Sequence, residues 1–201
     1  MRQDFIAARL DWTRSDLLAV FPFRHRLEMA ATLRPDGLTL ETTLIASSEG
    51  PVPVSFGYHP YFGLPDLPRT HWRLELPAMK RLVLDQRGIP TGAEESFGRF
   101  DAELSDVGFD DGFALMEERA LFSVTGGDRR ITVELLAGYP YAQVFAPKDK
   151  DYIAFEPMTA PTSALTSGRG LRLVKAGEKF RAVFESCIDA SESESEREAR
   201  R

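Results

Sequence analysis

The chain has 201 residues, 43% of them hydrophobic and 28% charged, which supports one sizeable core and leaves too little length for several independent domains. Its 14 Phe, 5 Tyr and 2 Trp exclude a disordered chain, and no apolar run approaches the ~18–20 residues that a membrane-crossing helix needs. A net charge of −6 opposes a nucleic-acid partner, and the single cysteine, Cys187, excludes an internal disulfide and a thiolate zinc cluster, a usage that suits a reducing, cytoplasmic setting.

Residues Met1 to Arg9 carry two arginines and one aspartate and no apolar core of the kind a secretory signal shows. From Arg24 to Leu33 the apolar residues fall at Leu27, Met29, Ala31 and Leu33, a two-residue repeat that predicts a strand. Pro35-Asp36-Gly37 reads as a turn, and Leu38 to Ala46 resumes extended character, so the pair predicts a hairpin. Further strands are predicted at Trp72–Leu76, Met79–Leu84, Ala120–Thr125, Arg130–Leu136, Ala142–Ala146, Tyr152–Glu156, Leu171–Val174 and Lys179–Ile188. Prolines at 22, 51, 53, 60, 65 and 68 break any long helix in the first third, and no segment sustains a 3.6-residue stripe. Short strands with Gly or Pro turns between them predict a single all-β domain over 1–188, an antiparallel sandwich or barrel. The serine- and glutamate-rich segment 189–201 is expected to be a disordered polar tail.

Several chemistries are excluded by their missing motifs. There is no GxSxG nucleophile elbow, no HExxH or CxxC, and no Gly-Lys-Ser/Thr phosphate loop. Ser167-Gly168-Arg169-Gly170 precedes a strand-like run where a dinucleotide site needs a helix, and His25, His59 and His71 are too scattered for a metal site. No cofactor or metal is therefore expected.

Three segments stand out. In Ser55–Pro65, His59 precedes Pro60, which holds it extended, and aromatic residues surround it: either a half-buried histidine in an aromatic corner or an imidazole held at a site mouth. In Tyr152–Pro161, strand character leads into Glu156, with Phe155 and Ile153 on one face and Glu156, Ala154 and Tyr152 on the other; Pro157 then stops the ladder. Glu156 is either an edge residue facing water or a general base whose partial desolvation raises its pKa. In Gly108–Phe113, Asp110 and Asp111 suit a hydroxyl-binding loop and equally a plain turn.

Taken in order, these segments resemble the aldose 1-epimerase (galactose mutarotase-like) family. The likeness runs from Phe21-Pro22-Phe23 to Gly177-Glu178 through HPYF at His59–Phe62, FDDGF at Phe109–Phe113, YPYAQVFAP at Tyr139–Pro147, FEPMTAPTSAL at Phe155–Leu165 and the closing LRLVKAGEKF. It implies a galactose mutarotase-like β-supersandwich with a monosaccharide, a hexose, bound in an open cleft on one sheet. Glu156 then matches the catalytic base for the anomeric hydroxyl and His59 the acid for the ring oxygen. Asp110 matches the hydroxyl-binding aspartate, with Gln143 beside the same cleft. General acid–base ring opening by these groups needs no cofactor.

Family members are longer at the N-terminus, where they carry early strands, a sugar-contacting arginine and a second histidine. Neither Arg24 nor His25 fits that pair, and Arg2 and Arg9 have no motif around them. The expectation is an N-terminally truncated sandwich, either because its true start lies upstream of Met1 or because it is a shortened member, with exposed sheet edges that favour self-association. Two functions follow: an aldose 1-epimerase interconverting α and β anomers, or a carbohydrate-binding module or inactive homologue that holds sugar without turnover.

Overall fold

The computed structural model describes residues 4–190. Strand β1 (Asp4–Trp12) leads through a short helix α1 (Ser15–Val20) to the hairpin β2 (His25–Arg34) and β3 (Gly37–Ala46). Next come β4 (Val52–Val54), β5 (Tyr61–Phe62), β6 (Arg73–Leu76), β7 (Met79–Leu84), β8 (Pro90–Phe97) and β9 (Phe100–Glu103). The second half adds β10 (Phe109–Leu115), β11 (Ala120–Gly126), β12 (Arg129–Ala137), β13 (Tyr141–Ala146), β14 (Ile153–Met158), one helical turn α2 (Ala164–Ser167), β15 (Arg172–Val174) and β16 (Lys179–Ala190).

These strands form an eight-stranded sheet in the order β1-β2-β3-β16-β12-β11-β6-β9, a six-stranded sheet in the order β5-β14-β13-β10-β7-β8, and the small pair β15-β4. The fold is an all-β sandwich, as expected from the sequence. Its core lies between the inner faces of the two sheets. Phe122 and Val133 on the larger sheet, and Phe113, Val144 and Phe155 on the smaller, are at most 1% exposed. The rings of Phe122 and Phe155 meet at 5.7 Å, joining the two faces.

Most predicted strands are present to within two residues, and the predicted turn at Pro35–Gly37 joins β2 to β3. Three differences have physical causes. The FDDGF segment, which suited a loop or turn, is strand β10. Phe109 and Phe113 enter the core, and Asp111 between them is tolerated because its carboxylate pairs with Arg81 at 3.2 Å, beneath the rings of Phe97 and Phe113. Pro157 does not stop the β14 ladder, since Pro157 still pairs with Ala142. Its carbonyl accepts the Tyr58 N–H at 3.1 Å, so its missing donor faces that segment and not β13. Finally, β16 runs through Ala190, into the segment read as a tail; residues 191–201 lie outside the described residues.

The larger sheet overhangs the smaller one. Ile6 and Leu10 on β1, and Met29 and Leu33 on β2, lie on the side that becomes the core face further along, yet each is 41–71% exposed. Strand β1 pairs only with β2 among the described residues, so it forms one edge of the larger sheet.

The core packing makes a direct prediction. Phe122→Ala removes a ring that no solvent reaches and leaves a cavity against Phe155; it is expected to destabilise the fold by about 3–5 kcal/mol, measured by urea denaturation.

Candidate functional site

The outer face of the smaller sheet carries the site. On β14, Ile153 and Phe155 are buried in the core, so the pleat turns Ala154, Glu156 and Met158 the other way. On β13 the same alternation buries Ala142, Val144 and Ala146 and turns Tyr141, Gln143 and Phe145 outward. On β10 it turns out Asp110 and Gly112. Register aligns these sets, because Gln143 lies opposite both Glu156 and Gly112, and Phe145 lies opposite Ala154 and Asp110. Strand β5 adds Tyr61 beside Ala154. The result is an open cleft of about 370 Å³ in which His59, Tyr61, Asp110, Gln143, Phe145 and Glu156 meet.

All four residues singled out in the sequence therefore line one cleft. His59 Nε2 lies 3.0 Å from Glu156 Oε1, with the carboxylate side chain only 14% exposed. The His59 ring is stacked on Tyr61 at 4.4 Å between centroids and meets Phe145 edge-on at 6.1 Å, so its plane is held on two sides. The Tyr61 hydroxyl reaches 3.3 Å from the same Nε2. Gln143 Nε2 donates to Asp110 Oδ1 at 2.8 Å, which fixes its amide and leaves its carbonyl oxygen and the second Asp110 oxygen to accept from a ligand. A side chain on Gly112 would press against both that amide oxygen and Leu82, so the glycine lets the two approach each other.

Burial pushes the Glu156 carboxyl up from 4.5 to about 7, and the charge of Asp110 adds to the rise. That rise brings the carboxyl into the range where it can take and return a proton, with the imidazole of His59 3.0 Å away. The other histidines belong elsewhere. His25 is buried, stacked on Trp12 and bonded through Nδ1 to the Phe23 carbonyl at 2.7 Å; His71 sits on a short turn at Arg69–His71. Among the described residues that line the cleft, none is a lysine or arginine.

The sequence reading did not single out Tyr141, Met158, Leu82, Leu84 or Pro90, which also line the cleft. A signal existed for the first two: Tyr141 stands two residues before Gln143, and Met158 two after Glu156, on the same strand faces.

Residues 2–186 match the family model described as aldose 1-epimerase. No curated protein matches the chain in sequence. Among solved structures, a galactose mutarotase-like protein from Clostridium acetobutylicum is similar with a TM-score of 0.81 at 19% identity, over 94% of this chain and 63% of that one. A protein from Synechocystis is similar with a TM-score of 0.75 at 24% identity, over 93% of this chain and 62% of that one. A galactose 1-epimerase from Lactobacillus acidophilus is similar with a TM-score of 0.72 at 16% identity, over 94% and 64%. At such identities the likeness speaks to the fold, and this chain spans less than two thirds of each relative's length.

The electrostatics of the cleft predict the outcome of one substitution. Asp110→Asn removes the charge that helps to raise the Glu156 carboxyl. The Glu156 titration, followed by carboxyl NMR, is expected to move below about 7 yet stay above 4.5, because burial is the larger cause.

Proposed function

The chain belongs to the aldose 1-epimerase family, and we propose that its cleft interconverts the α and β anomers of a free, uncharged hexose by general acid–base ring opening. The reading rests on one observation above all: a half-desolvated carboxyl titrating at about 7 in direct contact with an oriented imidazole.

In this reading the ionised Glu156 removes the proton from the anomeric hydroxyl. The freed electron pair forms the C1 carbonyl as the bond between C1 and the ring oxygen breaks, and the ring oxygen takes a proton from His59. Rotation about C1–C2 turns the other carbonyl face toward the hydroxyl. Reversing both proton transfers then closes the opposite anomer, with Glu156 and His59 restored. Ring oxygen and anomeric oxygen share one carbon, so an acid and a base that touch each other in the free cleft need only part slightly around them. Asp110 and Gln143 accept hydrogen bonds from sugar hydroxyls, and the Tyr61 and Phe145 rings offer apolar faces to the C–H side of a pyranose. Two carboxyl groups, with no lysine or arginine among the described residues that line the cleft, disfavour sugar phosphates and uronates.

Polarimetry of freshly dissolved α-glucose and α-galactose tests the proposal. Glu156→Gln is expected to lower kcat by about 10²–10⁴ with little change in KM, the loss that follows removal of a positioned base. An undiminished rate in that variant would show the base assignment to be wrong. In the unsubstituted protein kcat/KM is expected to rise about tenfold per pH unit up to about pH 7, because the base works only when ionised and burial sets its pKa there.

A second reading is favoured by the lining of the cleft, which holds no lysine or arginine among the described residues: a cleft that holds sugar without turnover. It predicts saturable binding of monosaccharides by NMR titration with mutarotation no faster than in buffer.

A further inference from the structure

The charged and amide groups that line the cleft stand on three neighbouring strands. Glu156, Gln143 and Asp110 sit on β14, β13 and β10, and the next strand, β7, lines the cleft with Leu82 and Leu84. From the β14 backbone to that of β7 is three strand spacings, about 14 Å. A pyranose anchored at Glu156 and His59 fills the first part of this span and turns its distal carbons toward β7. The lining there is apolar: Leu82 against Gly112, Leu84 with 42% of its surface exposed, and Pro90 at the start of β8, while Glu94, opposite Leu82, is paired with Lys80 at 3.2 Å. An exposed leucine beside a half-buried one has no role in the core between the sheets.

This wall is built and held. The turn between β7 and β8 is fixed by Asp85, whose Oδ1 accepts the N–H groups of Arg87 at 2.8 Å and Ile89 at 3.0 Å. The β7–β8 register then shifts between Leu82 and Leu84, an irregularity that accommodates Gly92 at a φ of 96°. Across the rim, the Arg169 guanidinium donates to the Pro90 carbonyl at 3.2 Å and to the Thr91 carbonyl, and it packs over Gly92 where a side chain would clash. Thr91 Oγ1 donates to the Val83 carbonyl at 3.0 Å. Pro90 is therefore clamped beside the two leucines.

We infer that Leu82, Leu84 and Pro90 form an apolar subsite for a hydrocarbon group on the distal carbons of the sugar, whether a deoxygenated carbon or an ester or ether chain. The inference rests on the proposal that an aldose binds with its anomeric carbon at Glu156. A distal hydroxyl facing these side chains gains no hydrogen bond from them, whereas a methyl or acyl group there leaves water for a matching surface. The subsite thus selects for an aldose modified on the side away from C1.

NMR titration of the protein with D-galactose, 6-deoxy-D-galactose and 6-O-butanoyl-D-galactose measures the three Kd values, and polarimetry on the same samples measures turnover separately. The deoxy sugar is expected to bind severalfold tighter than galactose, and the butanoyl ester about tenfold tighter. In Leu84→Ser both ratios are expected to fall toward one. Leu84→Asn, closer in size, serves as the second variant should the serine protein melt early. Galactose binding as tightly as its derivatives, ratios unchanged in both variants, or no binding by any of the three would overturn the subsite. Preferential binding without any mutarotation would remove the acid–base reading and leave the subsite standing. Mutarotation without preference would do the reverse.

Discussion

The site depends on the burial of Phe155. A strand allows its side chains two directions only, and the ring of Phe155 is committed to the core against Phe122 and Phe62. Its neighbour Glu156 must then project from the opposite face, with a backbone that cannot slip by one residue without expelling Ile153 and Phe155 from the core. The same argument applies on β13, where burial of Ala142 and Val144 aims Gln143 outward. Apolar packing on one side of the smaller sheet thereby positions polar chemistry on the other, and it does so through backbone geometry, the stiffest link available.

What the sheet cannot supply by itself is the charge state of the pair. Burial removes much of the water from Glu156, while Asp110 adds a second negative charge nearby. Both effects resist ionisation of a carboxyl that stands in contact with an imidazole. Together they bring it into the range where a proton is easily taken and returned. His59 is in turn kept in plane by Tyr61 and Phe145, so the aromatic residues around it act on direction and the carboxyl acts on charge.

The cleft is also asymmetric in chemistry. Glu156, Gln143 and Asp110 gather over β14, β13 and β10, and β7 and β8 line the cleft with Leu82, Leu84 and Pro90, braced by Asp85 within its turn and by Arg169 from across the rim. Away from the cleft, the overhanging strands β1 and β2 carry exposed apolar residues on the face that elsewhere makes the core. The two features are independent: one belongs to the smaller sheet's outer face, the other to the larger sheet's inner face.

The linear sequence by itself determined the strand-rich class, because alternation such as Leu27, Met29, Ala31 and Leu33 is a local pattern that local geometry enforces. It also carried the family likeness and, through it, the residues His59, Asp110, Gln143 and Glu156. Where alternation was interrupted by charge the signal was lost. Asp111 hid strand β10 between two buried phenylalanines, and β8, exposed along most of its length, offers no apolar stripe to read. Only the tertiary structure decided that His59 and Glu156 touch, that burial and Asp110 lift the carboxyl, and that Leu82, Leu84 and Pro90 close the cleft's other end. The reason is physical: which side of a strand a residue faces follows from its neighbours in the chain, but which strands lie side by side, and in what register, is set by packing between segments far apart in it.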